Sequence, residues 1–336
     1  MPDPYGRDAT HPSRIPLKGW LQIAHRVWNE SARDNLSVIA AGCAFYALFA
    51  AFPALSALIA LYGLATDPAA VERHFDMLAY VLPSPAYDLV IDHVKRLAEA
   101  PTRSLGWGLA ISLGLAVWSI ANLIQTLFAA LNIAYEEIER RSTLRFYSSA
   151  LGFALLGIVS GTLMLLAIVY LPLIVASAGY SSAFEGVVKV ARWPLLALVV
   201  LLVLALLYRY GPCRRGAKWR WVSVGSLTAA AAWLAASAGF SFYVANFADY
   251  DRTYGSLGAA IVLLFWLYLS FYSILIGAEI NAELELQTAE DTTRGTPRPM
   301  GKRGAFVADH VAGGRNNAAR PRSEVAIHPE RAKAGG

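Results

Sequence analysis

Six runs of sixteen or more residues without a charged side chain occupy most of this 336-residue chain. Nothing else in the sequence constrains its fold as tightly. A run of about 20 apolar residues spans the roughly 30 Å hydrocarbon core of a bilayer as an α-helix. Inside lipid, each backbone N–H and C=O must bond within its own element, so only helices and closed barrels cross. Barrel strands are about 10 residues long and alternate in polarity; these runs are longer and unbroken. The fold class is therefore all-α: a polytopic membrane helix bundle with about six transmembrane helices. Composition agrees, with 56% hydrophobic and 16% charged residues, too little charge to cover a soluble domain of this size.

The spans are placed at about 36–63, 106–133, 147–176, 191–210, 222–247 and 254–280. The fourth is the shortest. Its uncharged core, Trp193 to Tyr208, is 16 residues, or roughly 24 Å of helix. Arg192 and Arg209 flank it and can extend it by snorkelling, and Pro194 suits a first helical turn. The third run is longer than one span, which places the part after Pro172 at the interface.

Lys and Arg set the orientation. Of 29, 22 fall before the first span, between the second and third, between the fourth and fifth, or after the sixth. The positive-inside rule then places both termini in the cytoplasm. It also accounts for the net charge of +5 without a nucleic-acid partner. The polar N-terminus carries no visible cleaved signal peptide, so the first span reads as a retained signal anchor.

Residues 1–35 form a cytoplasmic N-terminal region. Within it, Trp20, Ile23, Ala24, Val27 and Trp28 recur at helical spacing, as expected for an amphipathic helix in the membrane interface. The extracytoplasmic loop 67–104 reads as two short helices, starting at Asp67-Pro68 and Ser84-Pro85. Residues 287–336 are rich in Gly, Pro, Arg and Ala and read as a disordered basic tail.

A search for chemistry finds no catalytic constellation. The six histidines lack ligand spacing, Cys43 and Cys213 form no metal motif, and there is no phosphate loop or nucleophile elbow. Asp88 and Asp92, four apart, read as a solvated face, as do Asp249, Asp251 and Arg252. No cofactor is implied. Polar side chains within the spans are more informative, because the bilayer makes them costly. Asn122 and Gln125 share a face of the second span and serve either helix–helix packing or a substrate path. Glu279, followed by Asn281, closes the sixth span. Its expected partners are arginines of the fourth-to-fifth loop or of the N-terminal helix. Gly157 and Gly161 form a GxxxG that predicts a close helix contact, and the alanine-rich stretch 228–239 predicts another.

Several stretches together resemble the YihY/BrkB family of bacterial inner-membrane proteins. They are AAGCAFYALFAAFP (Ala40 to Pro53), LNIAYE (Leu131 to Glu136), LYRYGPCRRGAKWRWVSVGSL (Leu207 to Leu227) and YGSLGAAIVLLFWLYLSFYSILIGAEINAEL (Tyr254 to Leu284). The residues that carry the likeness include Tyr46, Pro53, Asn132, Trp219, Gly225, Tyr254, Gly255, Gly258, Trp266, Gly277 and Glu279. The resemblance spans about residues 17–286 and implies six transmembrane helices and a multi-pass location in the inner membrane. The family has carried a ribonuclease label, a virulence label and links to lipid export. The leading functional expectation is a transporter or flippase of an envelope lipid or other amphipathic substrate. The alternative is a non-transporting scaffold or envelope-assembly factor. The cytoplasmic loops lack a nuclease's metal-binding carboxylates or acid–base pair, so ribonuclease activity is not expected. Expected partners are membrane lipids, with anionic headgroups at the cytoplasmic face.

Overall fold

A computed structural model describes residues 3–63, 87, 91–92, 105–177, 182–247 and 258–313. It contains α1 (Leu17–Arg33), α2 (Leu36–Gly63), α3 (Leu105–Ala134), α4 (Thr143–Ser177), α5 (Ser182–Tyr210), α6 (Trp219–Phe247), α7 (Gly258–Leu286) and the single turn α8 (Phe306–Asp309). No β-strand occurs among the described residues. Helices α2 to α7 are each long and apolar enough to cross a membrane.

These six spans pack in chain order. Each contacts the next, and α7 returns against α2, closing a ring; α7 also reaches across to α3. At most a third of each apolar window is buried inside the protein. The rest is an apolar exterior that only lipid would cover at low cost. The interior is densest at one end, where Leu36, Phe128, Leu131, Tyr208, Leu275 and Ala278 form one core.

The fourth span gains length from its N-terminal side. Helix α5 starts at Ser182, so Pro194 sits inside it, not in its first turn. The third run stays one continuous helix from Thr143 to Ser177, without a break at Pro172. Close helix packing occurs elsewhere than expected. A Cβ at Gly157 or Gly161 would meet nothing within 4 Å, so the GxxxG of α4 makes no helix contact. In the alanine-rich stretch of α6, Ala229 is buried, whereas Ala231, Ala232 and Ala235 are exposed. The close contact is between α6 and α7. A Cβ on Gly225 would overlap the Gly277 carbonyl oxygen and the Asn281 amide, and one on Gly277 would lie 2.6 Å from the Ala229 Cβ. Higher up the same pair, the Trp233 indole N–H donates to Ser270 Oγ at 2.9 Å and the Trp266 indole N–H to Ser237 Oγ at 3.3 Å.

Helix α1 has two apolar faces. Ile23 and Val27 pack with Trp221 and Leu284 against the bundle. Leu17, Leu21 and Trp28, the last 78% exposed, point outward. The helix is thus seated on protein by one face and leaves an apolar face exposed on the other. Asp34 and a left-handed Asn35 (φ 52°) then turn the chain directly into α2.

The largest correction concerns the C-terminal tail. Residues 287–313 are folded, with Gln287, Thr288, Thr292 and Arg303 buried; residues 314–336 lie outside the described residues. Composition alone predicts disorder here, because there is little apolar surface to bury. Buried charges organise this segment instead. The Arg303 guanidinium donates to the carbonyls of Arg298, Glu290, Ala308 and Ala289 at 2.6–3.1 Å. The Asp309 carboxylate accepts the N–H groups of Gly301, Arg303 and Gly304. Asp291 accepts those of Thr293 and Arg298, contacts that hold its pKa below the usual carboxylate value against the opposing effect of burial. The expected outer-loop helices of 67–104 lie outside the described residues except Tyr87, Ile91 and Asp92, which are helical. Asp249, Asp251, Arg252, Tyr254 and Gly255 lie outside them as well.

Candidate functional site

The N-terminal segment, the α3–α4 and α5–α6 loops and the 287–313 segment all meet at one end of the ring. These are the segments that carry the Lys/Arg excess. Asn132, in the last turn of α3, begins the assembly. Its Oδ1 accepts the Cys213 N–H at 2.7 Å and its Nδ2 donates to Glu139 at 2.9 Å, tying the two loops together. The 287–313 segment is stitched to both. Lys218 N–H donates to the Thr292 carbonyl, Arg294 N–H to that of Gly216, and Phe306 N–H to the Glu137 carboxylate at 2.7 Å.

The last turns of α7 carry a dense set of buried polar groups: Glu279, Asn281, Glu283, Glu285 and Gln287. Asn281 bridges to α6, accepting the Gly225 N–H at 2.7 Å and donating to the Val222 carbonyl at 3.3 Å. Glu283 pairs with Arg26 of α1, whose guanidinium also donates to the Glu283 carbonyl and to Gln287. Glu285 pairs with Arg214 at 2.7 Å, their side chains 0% and 1% exposed, and accepts the Thr292 hydroxyl. Arg214 also lies over the Tyr135 ring, 4.9 Å from its centroid. Burial alone would lower the Arg214 pKa; the adjacent Glu285 charge more than offsets that, and the pKa rises.

The structure thus separates the residues singled out in the sequence. Glu279 is 2% exposed, and the arginines expected as its partners make their ion pairs with the two glutamates that follow it on α7. The one from α1 pairs with Glu283 and the one from the α5–α6 loop with Glu285. Asn122 donates to the Trp118 carbonyl one turn back in its own helix at 3.0 Å, so its amide bonds locally; Gln125 is half-buried beside it. Trp219, Gly225, Gly277 and Asn132 prove to be structural neighbours at the loop end. Tyr46 and Pro53 lie on α2, away from it. Residue-by-residue reading missed Glu283 and Glu285 and the roles that Arg26, Arg209 and Arg214 play. Their partners lie 71 and 257 residues apart in sequence for the two ion pairs, and no local spacing signals that.

Between the two loops and residues 294–310 lies a crevice of about 850 Å³. Seven Arg or Lys side chains and three carboxylates line it. Arg209, at the end of α5, is 9% exposed. Its guanidinium stacks over the Trp219 ring at 4.4 Å and the Tyr210 ring at 5.4 Å. Stacking covers a guanidinium face and leaves the N–H edge for planar acceptors. Arg141 is already engaged by Glu139 and the Gly211 carbonyl.

Glu137 also lines the crevice, and burial raises its pKa to about 7, against the lowering effect of the Phe306 N–H. A carboxyl whose folded pKa is raised binds more protons folded than unfolded between the two values. Stability therefore falls as pH rises from about 4.5 to about 7. Glu137→Gln should flatten that part of the pH–stability profile and raise stability most above pH 7. Thermal unfolding of the two proteins from pH 5 to 8 checks this; parallel profiles would show that Glu137 is not the titrating group.

A closed ring of membrane-length helices, sealed at one end by a folded polar cap around a basic crevice, defines a polytopic α-helical membrane protein. Residues 27–301 match the family model described as virulence factor BrkB, and the chain belongs to that family. It is 32% identical to the putative ribonuclease-like protein YfkH of Bacillus subtilis (strain 168) over 232 residues, 62% of this chain and 84% of that protein. The UPF0761 membrane protein of Cronobacter sakazakii is 26% identical over 275 residues, 80% of this chain and 89% of the relative. That of Tolumonas auensis is 26% identical over 278 residues, 80% and 86% of the two chains. No solved structure matches the chain.

Proposed function

We propose that this protein handles an amphipathic lipid of the cell envelope, drawing it from the inner leaflet of the bacterial inner membrane and moving it without chemical change. The capped end is then the cytoplasmic one, as the Lys/Arg distribution favours. The observation that supports this reading is the place of the basic crevice. It opens at the end of the apolar ring beside the last turn of α5, where Arg209 and Tyr210 line it, and exposed Ile138 contributes an apolar edge. A headgroup held there keeps its acyl chains alongside the spans, the arrangement a lipid substrate needs. The rate of leaflet exchange tests it. The purified protein, reconstituted in liposomes with a fluorescent phospholipid, should exchange lipid faster than empty liposomes in a bleaching assay.

A scaffold or envelope-assembly role is the second reading, and one observation favours it. Several polar side chains within the spans bond to their own helices, Asn122 to Trp118, Thr126 to Asn122 and Ser160 to Leu156, and others bond a neighbouring helix, as Trp233 does Ser270. Such groups do not mark a wet path across the bundle. Exchange at the rate of empty liposomes, with well-folded protein and several anionic lipids tried, selects the scaffold.

A further inference from the structure

We propose that the crevice is a binding site for a phosphate group, with Arg209, Arg214 and Arg215 as its principal donors. Three observations carry it. First, all three side chains line one cavity, and Arg140, Arg294 and Lys302 surround them with further positive charge. Second, buried N–H donors there have no protein acceptor: Nε and Nη1 of Arg209, Nη1 of Arg214 and Nη1 of Arg215. A buried donor without an acceptor is costly, and a charged one more so. Third, two of the guanidinium groups are held in place, and the third projects from a fixed backbone. Arg209 is stacked on Trp219 and Tyr210, Arg214 is fixed through its other nitrogen to Glu285, and the Arg215 backbone is tied to the Gly304 carbonyl at 2.8 Å.

Several fixed guanidinium edges suit an acceptor with three or more oxygens and up to two negative charges. Bidentate Arg–phosphate pairing is the arrangement that uses them. A single carboxylate has two oxygens and can pair in bidentate fashion with only one arginine at a time. Two of the three carboxylates of the lining are already engaged: Asp309 by three backbone N–H groups and Glu137 by that of Phe306. A lipid phosphomonoester as the source rests on the lipid-handling reading above; the binding of phosphate itself does not.

The test is titration calorimetry of the full chain in a maltoside detergent. The probes are inorganic phosphate, dioctanoyl phosphatidic acid, dioctanoyl phosphatidylcholine and a short single-stranded RNA. Phosphatidic acid should bind saturably, and phosphatidylcholine, which has one fewer ionisable phosphate oxygen and a bulky cation, more weakly. Arg209→Gln should weaken phosphatidic acid by about 10-fold to 100-fold, the loss expected for a charge-assisted pair. Arg209→Lys, which keeps the charge and loses the fork, should fall between. Arg145→Gln, at an exposed position outside the cavity, should bind as the unaltered protein does. If Arg209→Gln does not yield a monodisperse protein, Arg215→Gln carries the same expectation. Binding of phosphate but not of phosphatidic acid keeps the site and removes the lipid as its source. Binding of phosphatidic acid by a protein that exchanges no lipid between leaflets keeps the site and removes transport. The proposal is overturned if neither phosphate nor phosphatidic acid binds saturably, if the arginine variants bind like the unaltered protein, or if RNA binds the same arginines more tightly than both.

Discussion

Gly225→Ala should destabilise the bundle by about 3 kcal/mol, the upper end of what overpacking costs. The added Cβ has no room: it would overlap the Gly277 carbonyl oxygen and the Asn281 side chain. Both belong to α7, and the first is backbone, which no rotamer change can move. The helices must separate, and separation also breaks the Asn281 bond to the Gly225 N–H. Thermal unfolding in detergent measures the effect. Gly157→Ala is the matched control, because a Cβ there meets nothing within 4 Å. It should leave stability unchanged or raise it slightly, since alanine is the better helix former by about 1 kcal/mol. Equal losses for the two variants would mean that α6 and α7 do not approach this closely.

Glu285→Ala should cost as much or more, about 3–5 kcal/mol, the range for removing one partner of a buried ion pair. The substitution leaves the Arg214 charge with no counter-ion in a site where its side chain is 1% exposed. It also removes the acceptor of the Thr292 hydroxyl, which anchors the 287–313 segment. The double variant Arg214→Met with Glu285→Leu separates charge from packing. Apolar replacement of both partners of a buried pair is often nearly neutral, so the double variant should recover most of the lost stability. If it unfolds as readily as the single variant, shape and not charge is what this position demands.

How much of this was legible in the sequence follows from the range of the forces involved. The six spans were, because the bilayer acts on each helix separately and through its own residues. Helices α2 and α3 match their expected bounds to within one residue. Helix α4 starts earlier than expected, at Thr143, because Leu144 and Phe146 continue the helix beyond the apolar run. The cap was not legible. Arg303, Asp309 and Asp291 look like the charges of a solvated tail until their backbone partners are known, and those partners depend on how the chain turns. The GxxxG of α4 misled for a related reason. Small residues permit a close approach, but only the neighbouring helix decides whether one occurs; the approach falls at Gly225 and Gly277, which have no such spacing. Of the candidate site, Glu279 and Asn281 were visible as polar residues near a span end, and Asn132 as part of the family resemblance. The crevice arginines were visible only as topological charge.

The seat of α1 has a consequence for the order of events during synthesis. Arg26 leaves the ribosome early, but its partner Glu283 lies 257 residues later. At about 5–20 residues per second, translation takes roughly 13–50 s to supply that partner. Until then the Arg26 charge lacks its ion-pair partner and the Ile23–Val27 face of α1 lacks Leu284, part of the cluster it packs into. The outward Leu17, Leu21 and Trp28 can hold the helix on the membrane surface through that interval, parked beside the growing ring until α7 inserts and receives it.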